Sequence, residues 1–594
     1  LLMAQQLQNI TVQAPGFAGI NSQDSPLSLD QSFAATASNC VIDEFGRVGS
    51  RKGYTEVSTD SSTATQLGTS KGIEAIHEYV KRDGTKIIFS AGNNKIFTGT
   101  TTLTPVTLPA DYSITDNNWK IITFNDDVFF FQRGHAALHY DSSEQSGNAT
   151  LILAEDSSHS APQANEVIAA YGRLWAADVN GDKHTVYFSD LLIGNKWHGG
   201  SAGSLNLTNV FPSGNDEIVA LSTHNGFLVI FCKRSIIIYQ GAELPSASPV
   251  VFALHDTIEG VGCIERDSVQ HTGTDIIFLS EDGVRSFGRT VQEKSMPMRD
   301  ISNNVRTELT ELVKQQTNPI KSIYSADEAF YLLSLADSQV VYCFDMRGEL
   351  PDGSNRVTTW GGVNPRSLAL LQDGTIYLGR KEGIFQYGGY LDNGNTYEMI
   401  YYSNPLNFGN STNLKFLKKF NITVIGNVSS QSVLAWGYDY ATSFNKKIFN
   451  TGNIDTDTAE YFDFEDQASA TEGIANNPVG QFGDNTTTLV APSSTGTYLG
   501  AFSSAPTTDV TNALYYNTTD SKLYYWSGSA WVEEDTVDTA YVASKYTTGV
   551  DIQRPNVNTN GSGRTVTIGI ESTINGAPYS IQQIDVHALL GRLI

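Results

Sequence analysis

Between residues 72 and 389 the chain writes one hydrophobic–polar pattern seven times: an apolar strand, a polar turn, a second apolar strand, a tight turn, and a third strand closed by Gly or Asp. Segments 72–99 (GIEAIHEYVKRDGTKIIFSAGNNKIFTG), 216–241 (DEIVALSTHNGFLVIFCKRSIIIYQG) and 364–389 (NPRSLALLQDGTIYLGRKEGIFQYGG) are the cleanest copies. The middle strands begin near Ile87, Val128, Leu174, Phe227, Ile276, Phe330 and Ile376. That step matches the about 40–50 residues of a propeller blade with roughly four strands. The pattern therefore predicts a mainly β protein with a β-propeller-like body over 71–400.

The period changes in three places. Across 300–317 (DISNNVRTELTELVKQQT), Ile301, Val305, Leu309, Leu312 and Val313 share one helical face, with Asp300 or Ser302 as N-cap. After Tyr401 the strands lengthen, as in KFNITVIGNV and SVLAWGYDYA, and GRTVTIGIES and PYSIQQIDVHAL continue them near the end. They predict a β-sandwich-like platform body built from 401–466 and 549–594. Residues 467–548 are rich in Ser, Thr, Asn and Gly and read as an inserted surface module. Its aromatic block at 498–534 reads as a strand, an NTTDS turn, a strand, an SGS turn and a short strand. Residues 1–70 read as an N-terminal arm that either supplies the propeller's closing strand or crosses to a neighbouring subunit.

Within the aromatic block Tyr515, Tyr516, Tyr525, Trp526 and Trp531 are the candidate ligand contacts, because Tyr and Trp rings stack on sugars and anchor partners. The competing reading makes the same rings the core of a module too small to bury much else.

Charged residues are only 17% of the 594, while Gly (52), Tyr (27) and Phe (28) are plentiful, the balance of a folded, turn-rich β chain. Cys40, Cys232, Cys263 and Cys343 show no CxxC spacing and read as buried thiols. A net charge of −25 argues against tight binding of phosphates, which needs clustered Lys and Arg. The one basic stretch, 415–419 (KFLKK), reads as a solvated strand edge. The first ten residues lack the charge and length of a secretory signal, and no window reaches the roughly 18 apolar residues of a membrane span. The expectation is a soluble chain.

Nucleotide, metalloprotease, hydrolase and zinc motifs are absent from the sequence, so neither an enzyme nor a metal or cofactor is expected. His135 and His139 form HxxxH without its Glu and read as surface turn residues. Asp178, Asn180 and Asp182 begin like a calcium loop, but its twelfth position is Ser189 rather than Glu, and a hairpin turn explains them. The turn acids Asp126, Asp127, Glu281, Asp282, Asp373 and Glu382 matter only if two converge as a glycosidase pair.

Several blocks resemble the tail nozzle, or tail tubular protein B, family of short-tailed phages, which is itself similar to packaged-DNA stabilisation tail proteins. The most specific lies at 16–54: Gly19-Ile20-Asn21, Asp24-Ser25-Pro26-Leu27, Ala37, Asn39, Gly46-Arg47 and Arg51-Lys52-Gly53. VYFSD (186–190) with Trp197, and the stretches 227–241, 256–287 and 563–593, are similar too. Residues 467–548 depart from that family, and their core resembles small modules of phage tail-fibre and spike proteins.

The resemblance implies a structural virion protein without cofactors, assembled in the host cytoplasm and placed at the tail tip. It implies a homohexameric ring docked on an adaptor or gatekeeper ring and touching tail fibres. Its lumen retains the packaged double-stranded DNA and releases it during ejection. A wall that nets negative repels phosphates, so DNA slides without tight binding. Two other readings stay open: an adhesin that binds host surface glycan through the aromatic block, and a propeller glycosidase.

Overall fold

The computed structural model describes residues 8–591 except 452–497, 508–513, 518–521, 534–551 and several shorter stretches, among them 60–65, 144–148, 243–251 and 294–299. The seven middle strands expected from the repeats all lie in β-sheets, at Lys86–Gly92, Asp127–Phe131, Arg173–Val179, Phe227–Cys232, Ile276–Ser280, Phe330–Leu335 and Ile376–Gly379. Their hairpins build six four-stranded antiparallel blades, with a shorter three-stranded sheet (Gln270–His271, Ile276–Ser280, Gly283–Ser286) between the fourth and the fifth. The inner strands start at Ile73, Lys120, Ala164, Ile218, Gln270, Lys321 and Ser367, and they follow one another around a ring that the last closes onto the first, the strand from Ile218 meeting its successor through the turn Arg266–Ser268.

Local chemistry explains the regularity. In blades two, three and four the first hairpin turn is two residues long, Asn125-Asp126, Tyr171-Gly172 and Asn225-Gly226, with φ between 49° and 84° at every one of them. Positive φ at both positions gives the turn whose twist suits a tight antiparallel hairpin. The second strand of each blade is flanked on both faces by neighbouring blades, so Phe227–Cys232 and Arg173–Val179 are apolar almost throughout. Apolar wedges fill the spaces between blades; Phe129, Phe131, Val167 and Leu174 form one, and Trp175, Val186, Leu228 and Ile230 the next.

Beyond the propeller, two sheets pack face to face. One is eight-stranded and centres on Lys415–Gly426 and Tyr579–Leu590. The other is the continuation of blade five: from Asn355–Gly361 it runs through Phe33–Ser38, Tyr397–Ser403, Val566–Ile574, Ser430–Tyr438 and Asn445–Thr451. Phe420, Ile422, Ile584 and Val586 of the first meet Met399, Leu434, Ile568 and Ile570 of the second in a common core.

Of the two alternatives for the N-terminal arm, the pairing shows the closing strand, and the arm's other strands join the two platform sheets. Gln8–Gln13 pairs with Tyr579–Leu590, Phe33–Ser38 bridges blade five and the platform, Val48–Ser50 joins the eight-stranded sheet, and Tyr54–Glu56 is the fourth strand of blade six. KFLKK is also not an edge: Lys415–Gly426 is paired on both sides, and Lys415 is buried with its ammonium donating to the Arg564 carbonyl. The next two lysines, Lys418 and Lys419, lie between the buried Leu417 and Phe420, where a register shift lets consecutive residues face outward.

The helix expected at 300–317 divides into a 3-10 turn, Asn303–Val305, and an α-helix, Arg306–Lys314. Neither Asp300 nor Ser302 caps it, because the Asp300 carboxylate holds the Arg306 guanidinium and the Ser302 hydroxyl receives the Val284 N–H. All four cysteines are buried and unpaired with one another. Among the described residues, no helix is long and apolar enough to cross a membrane.

Candidate functional site

The densest chemistry lies on the propeller axis, where the inner strands begin. Lys120 opens the second blade, Glu166 lies one turn into the third, Arg266 and Asp267 sit on the short turn Arg266–Ser268, and Lys321 opens the fifth. Asp267 is the hub. It receives Arg266 Nη2 at 2.6 Å, Arg266 Nε at 2.9 Å and Lys321 Nζ at 2.6 Å, and Lys120 Nζ stands 3.9 Å away. Lys120 also pairs with Glu166 at 3.2 Å. Arg266 then reaches across the ring, donating to Asn118 Oδ1 at 2.8 Å and to the Asn165 carbonyl at 2.6 Å. Side chains from four separate parts of the ring thus occupy the axis at this end. A cavity of about 210 Å³ beside them is lined by Glu74, Lys120, Asp267, Gln270, Lys321 and Ser367 among others.

Burial and neighbouring charge push these groups in opposite directions. Burial raises the Glu166 carboxyl, only partly opposed by Lys120 and Arg266. Burial, with the negative Asp267 alongside, pushes Glu265 up to about 7. Burial also works against the charge on Asp267, but Arg266, Lys321 and Lys120 outweigh it and hold that carboxyl well below its usual range. Lys321 is lowered by burial despite its bond to Asp267. Such divergence marks either a reactive site or a structural ion network. Here Glu166 is 1% exposed and accepts the Leu221 N–H at 3.3 Å, and Lys120 stands between the two carboxylates. The geometry is that of a network that ties blades together.

A second constellation joins the bodies. Asn39, at φ 56°, donates to the Glu398 carbonyl at 2.7 Å and accepts from Gly361 N and Arg51 Nε, both at 2.9 Å. The fully buried Arg51 forms a two-pronged pair with Asp392 at 2.7 and 2.8 Å and lies over the Tyr397 ring, whose hydroxyl donates to the Arg51 carbonyl. Lys52 pairs with Glu328 of blade five. A Cβ on Gly53 would sit 2.0 Å from the Leu391 carbonyl oxygen, so only glycine lets the two backbones approach. These residues of the 16–54 block therefore hold arm, propeller and platform together.

Of the residues read from the aromatic block, Tyr515 is 3% exposed, stacks on Tyr524 at 5.4 Å and meets Trp531 edge-on at 4.6 Å. Trp531 donates to the Pro506 carbonyl and touches Trp526 at 5.4 Å. Tyr515 thus lies in the small sheet's own core, with Trp526 and Trp531 both half-buried beside it. Tyr516 and Tyr525 lie on the same strands, and their side chains fall outside the described residues, as does most of 467–548.

The other sequence candidates serve local structure. His139 is not a surface turn residue: it is buried, stacked on Phe129 at 4.5 Å with its Nε2 3.2 Å from Asp127. His135 bonds Thr115 instead. Asp178 pairs with Arg133, and Asp182 accepts from His184 N and Tyr187 OH. Asp126 receives Arg82 N, Asp127 receives Ser142 N and Asp373 receives Thr375 N; Asp282 and Glu382 pair with Arg285 and Arg380, and Glu281 is exposed. No cluster of three or more His, Cys, Asp or Glu fit to hold a metal ion occurs among the described residues. Sequence reading missed the axial network because its members are scattered over some 200 residues; the lysines that open the second and fifth blades, Lys120 and Lys321, were the available signal.

No protein-family model and no curated protein matches the chain. Among solved structures it is similar to the WD40 propeller of Doa1, with 12% identity over 56% of this chain and 96% of that one, at a TM-score of 0.31. The Pan2 WD40 domain of Neurospora crassa aligns with 8% identity over 58% and 97%, at 0.31. The extracellular domain of the one-component system BT4673 from B. thetaiotaomicron aligns with 10% identity over 82% of this chain but only 53% of that one, at 0.33. At these values the propeller rests on the strand pairing of the chain itself.

Proposed function

We propose that the protein is a structural virion subunit of a phage tail nozzle: one member of a homohexameric ring whose lumen conducts, retains and releases double-stranded DNA. One observation carries this reading. Residues that bear the family resemblance, Asn39, Arg51, Lys52 and Gly53, are those whose bonds weld arm, propeller and platform. A conduit wall under the pressure of a packed genome needs such stiffness. Two further observations agree. The ion network crosses the propeller axis at one end, so on this reading DNA runs between subunits rather than through one propeller. The net charge of −25 discourages the wall from holding phosphates.

Electron microscopy of the purified protein, alone and with its adaptor ring, tests the reading. A six-fold ring with an open centre is the expected image. A monomer that stays monodisperse with the adaptor present overturns it.

The half-buried Trp526 at the margin of the small sheet favours a second, compatible role in host-surface adhesion. Deleting 467–548 should leave particles that assemble and keep their DNA but adsorb poorly. The glycosidase reading is not favoured, because carboxylates that meet, such as Glu166 with Asp267 and Glu78 with Asp373, share a lysine, Lys120 or Lys86, between them.

A further inference from the structure

The outer face of the eight-stranded sheet carries a groove of about 450 Å³ with an unusual lining. Its strands bury Ile422, Val424, Val557, Ile584 and Val586 on the core side. On the solvent side the pairing register sets Asn421 between Asp585 and Asn556, and Thr423 beside Gln583. A bulge between Thr423 and Val424 adds Gln582 to the same wall, and Arg554 completes it. Asparagine is disfavoured in strands, where β-branched and aromatic residues fit best, so folding alone does not call for amides here.

Partner chemistry follows from this lining. Each amide offers both donors and acceptors, which suits hydroxyl groups that also do both. Thr11 Oγ1 and Gln583 Nε2 both donate to Asp585 Oδ1, at 2.6 and 2.8 Å, which fixes the carboxylate in place. One amide atom of Asn421 lies 3.0 Å from His587 Nε2, while the other is shut away from solvent with no partner in the protein. Among the lining side chains Arg554 and Asp585 cancel, giving a neutral groove on a chain of net charge −25. A phosphate ligand would need more cations than Arg554 alone. A protein partner would need aromatic or apolar anchors, and Ile425 is the one apolar side chain in the lining.

We infer that this groove binds a neutral carbohydrate, held by hydrogen bonds from the amides and Asp585 rather than by ring stacking. The site is separate from the aromatic block and does not depend on ring formation. Hydrogen bonds exposed to water give weak single-site affinity, so multivalent display is the suitable probe.

The test uses the full chain on a printed array of multivalent neutral oligosaccharides built from glucose, galactose, mannose and N-acetylglucosamine, with sialylated and sulfated glycans alongside. Three proteins are compared: wild type, the pair Asn556→Ala/Gln583→Ala, and Trp531→Ala. Both groove positions sit on the solvent face, and an unchanged melting temperature verifies that the pair folds. The expected result is binding of at least one neutral glycan that falls by about tenfold or more in the groove pair and persists in Trp531→Ala. Any other pattern overturns the inference: no neutral glycan bound, charged glycans alone bound, binding that survives the groove pair, or binding that Trp531→Ala abolishes.

Discussion

Two polar regions of this molecule look alike in the sequence and differ in space. On the propeller axis, Lys120, Glu166, Arg266, Asp267 and Lys321 are turned on one another. On the outer platform face, Asn421, Asn556, Gln582 and Gln583 line an open groove. The axial groups spend their hydrogen bonds inside the protein, and their role is to hold blades in a ring. On the platform face Asn556 and Gln582 are exposed, open to something outside. Partnership, more than polarity or burial, separates structural from recognition chemistry here.

The comparison breaks most visibly at its hub. Asp267→Ala leaves Arg266 and Lys321 without their shared counter-charge, and removing one partner of a buried ion network costs about 3–5 kcal/mol. A large fall in the urea midpoint, or insoluble protein, is expected. Arg51→Ala should follow at about 3 kcal/mol, since it strips the partner from Asp392 and the cation from the Tyr397 face, and limited proteolysis should then cut first near the arm.

A smaller effect concerns pH. The Glu265 carboxyl is raised in the folded chain to about 7, above its unfolded value of 4.5, so the folded state holds the proton more tightly. Stability is therefore full below pH 4.5 and declines as pH rises through about 7. Glu265→Gln should flatten the fall in melting temperature between pH 5 and pH 8; an unchanged slope would assign the fall to other groups.

At the bottom of the scale, Asn556→Ala should change stability by less than about 0.5 kcal/mol, because it lies exposed on the sheet face. If it destabilised the chain as much as Asp267→Ala, the distinction between the two regions would collapse.

The blades were legible because their signal is local. Hairpins such as those around Asn225-Gly226 need apolar strands and turn residues within about 25 positions, and every middle strand from Ile87 to Ile376 could be located. The arm was not legible in the same way. Gln8–Gln13 pairs with residues near 585, and Tyr54–Glu56 with Phe385–Tyr387, contacts that leave no periodic trace in either segment. KFLKK misled for a related reason: a basic run looks the same on an edge as on a strand paired on both sides, and only the partners distinguish them.

The aromatic block was open to two explanations on sequence, and the packing of Tyr515 against Tyr524 and Trp531 assigns Tyr515 to its core. The amide groove drew no notice at all, since Asn421, Asn556 and Gln583 are separated by most of the second body and become neighbours only through strand register.

The sequence alone determined that this chain is mainly β, propeller-like and strongly acidic, because strand period, turn residues and charge are properties of short windows or of simple sums. Only the tertiary structure decided that charged side chains meet at one end of the axis, which sheets the arm joins, and which polar residues face each other or face outward. Those outcomes depend on long-range pairing, where a single register places Asp267 against two cations and leaves Asn556 facing solvent.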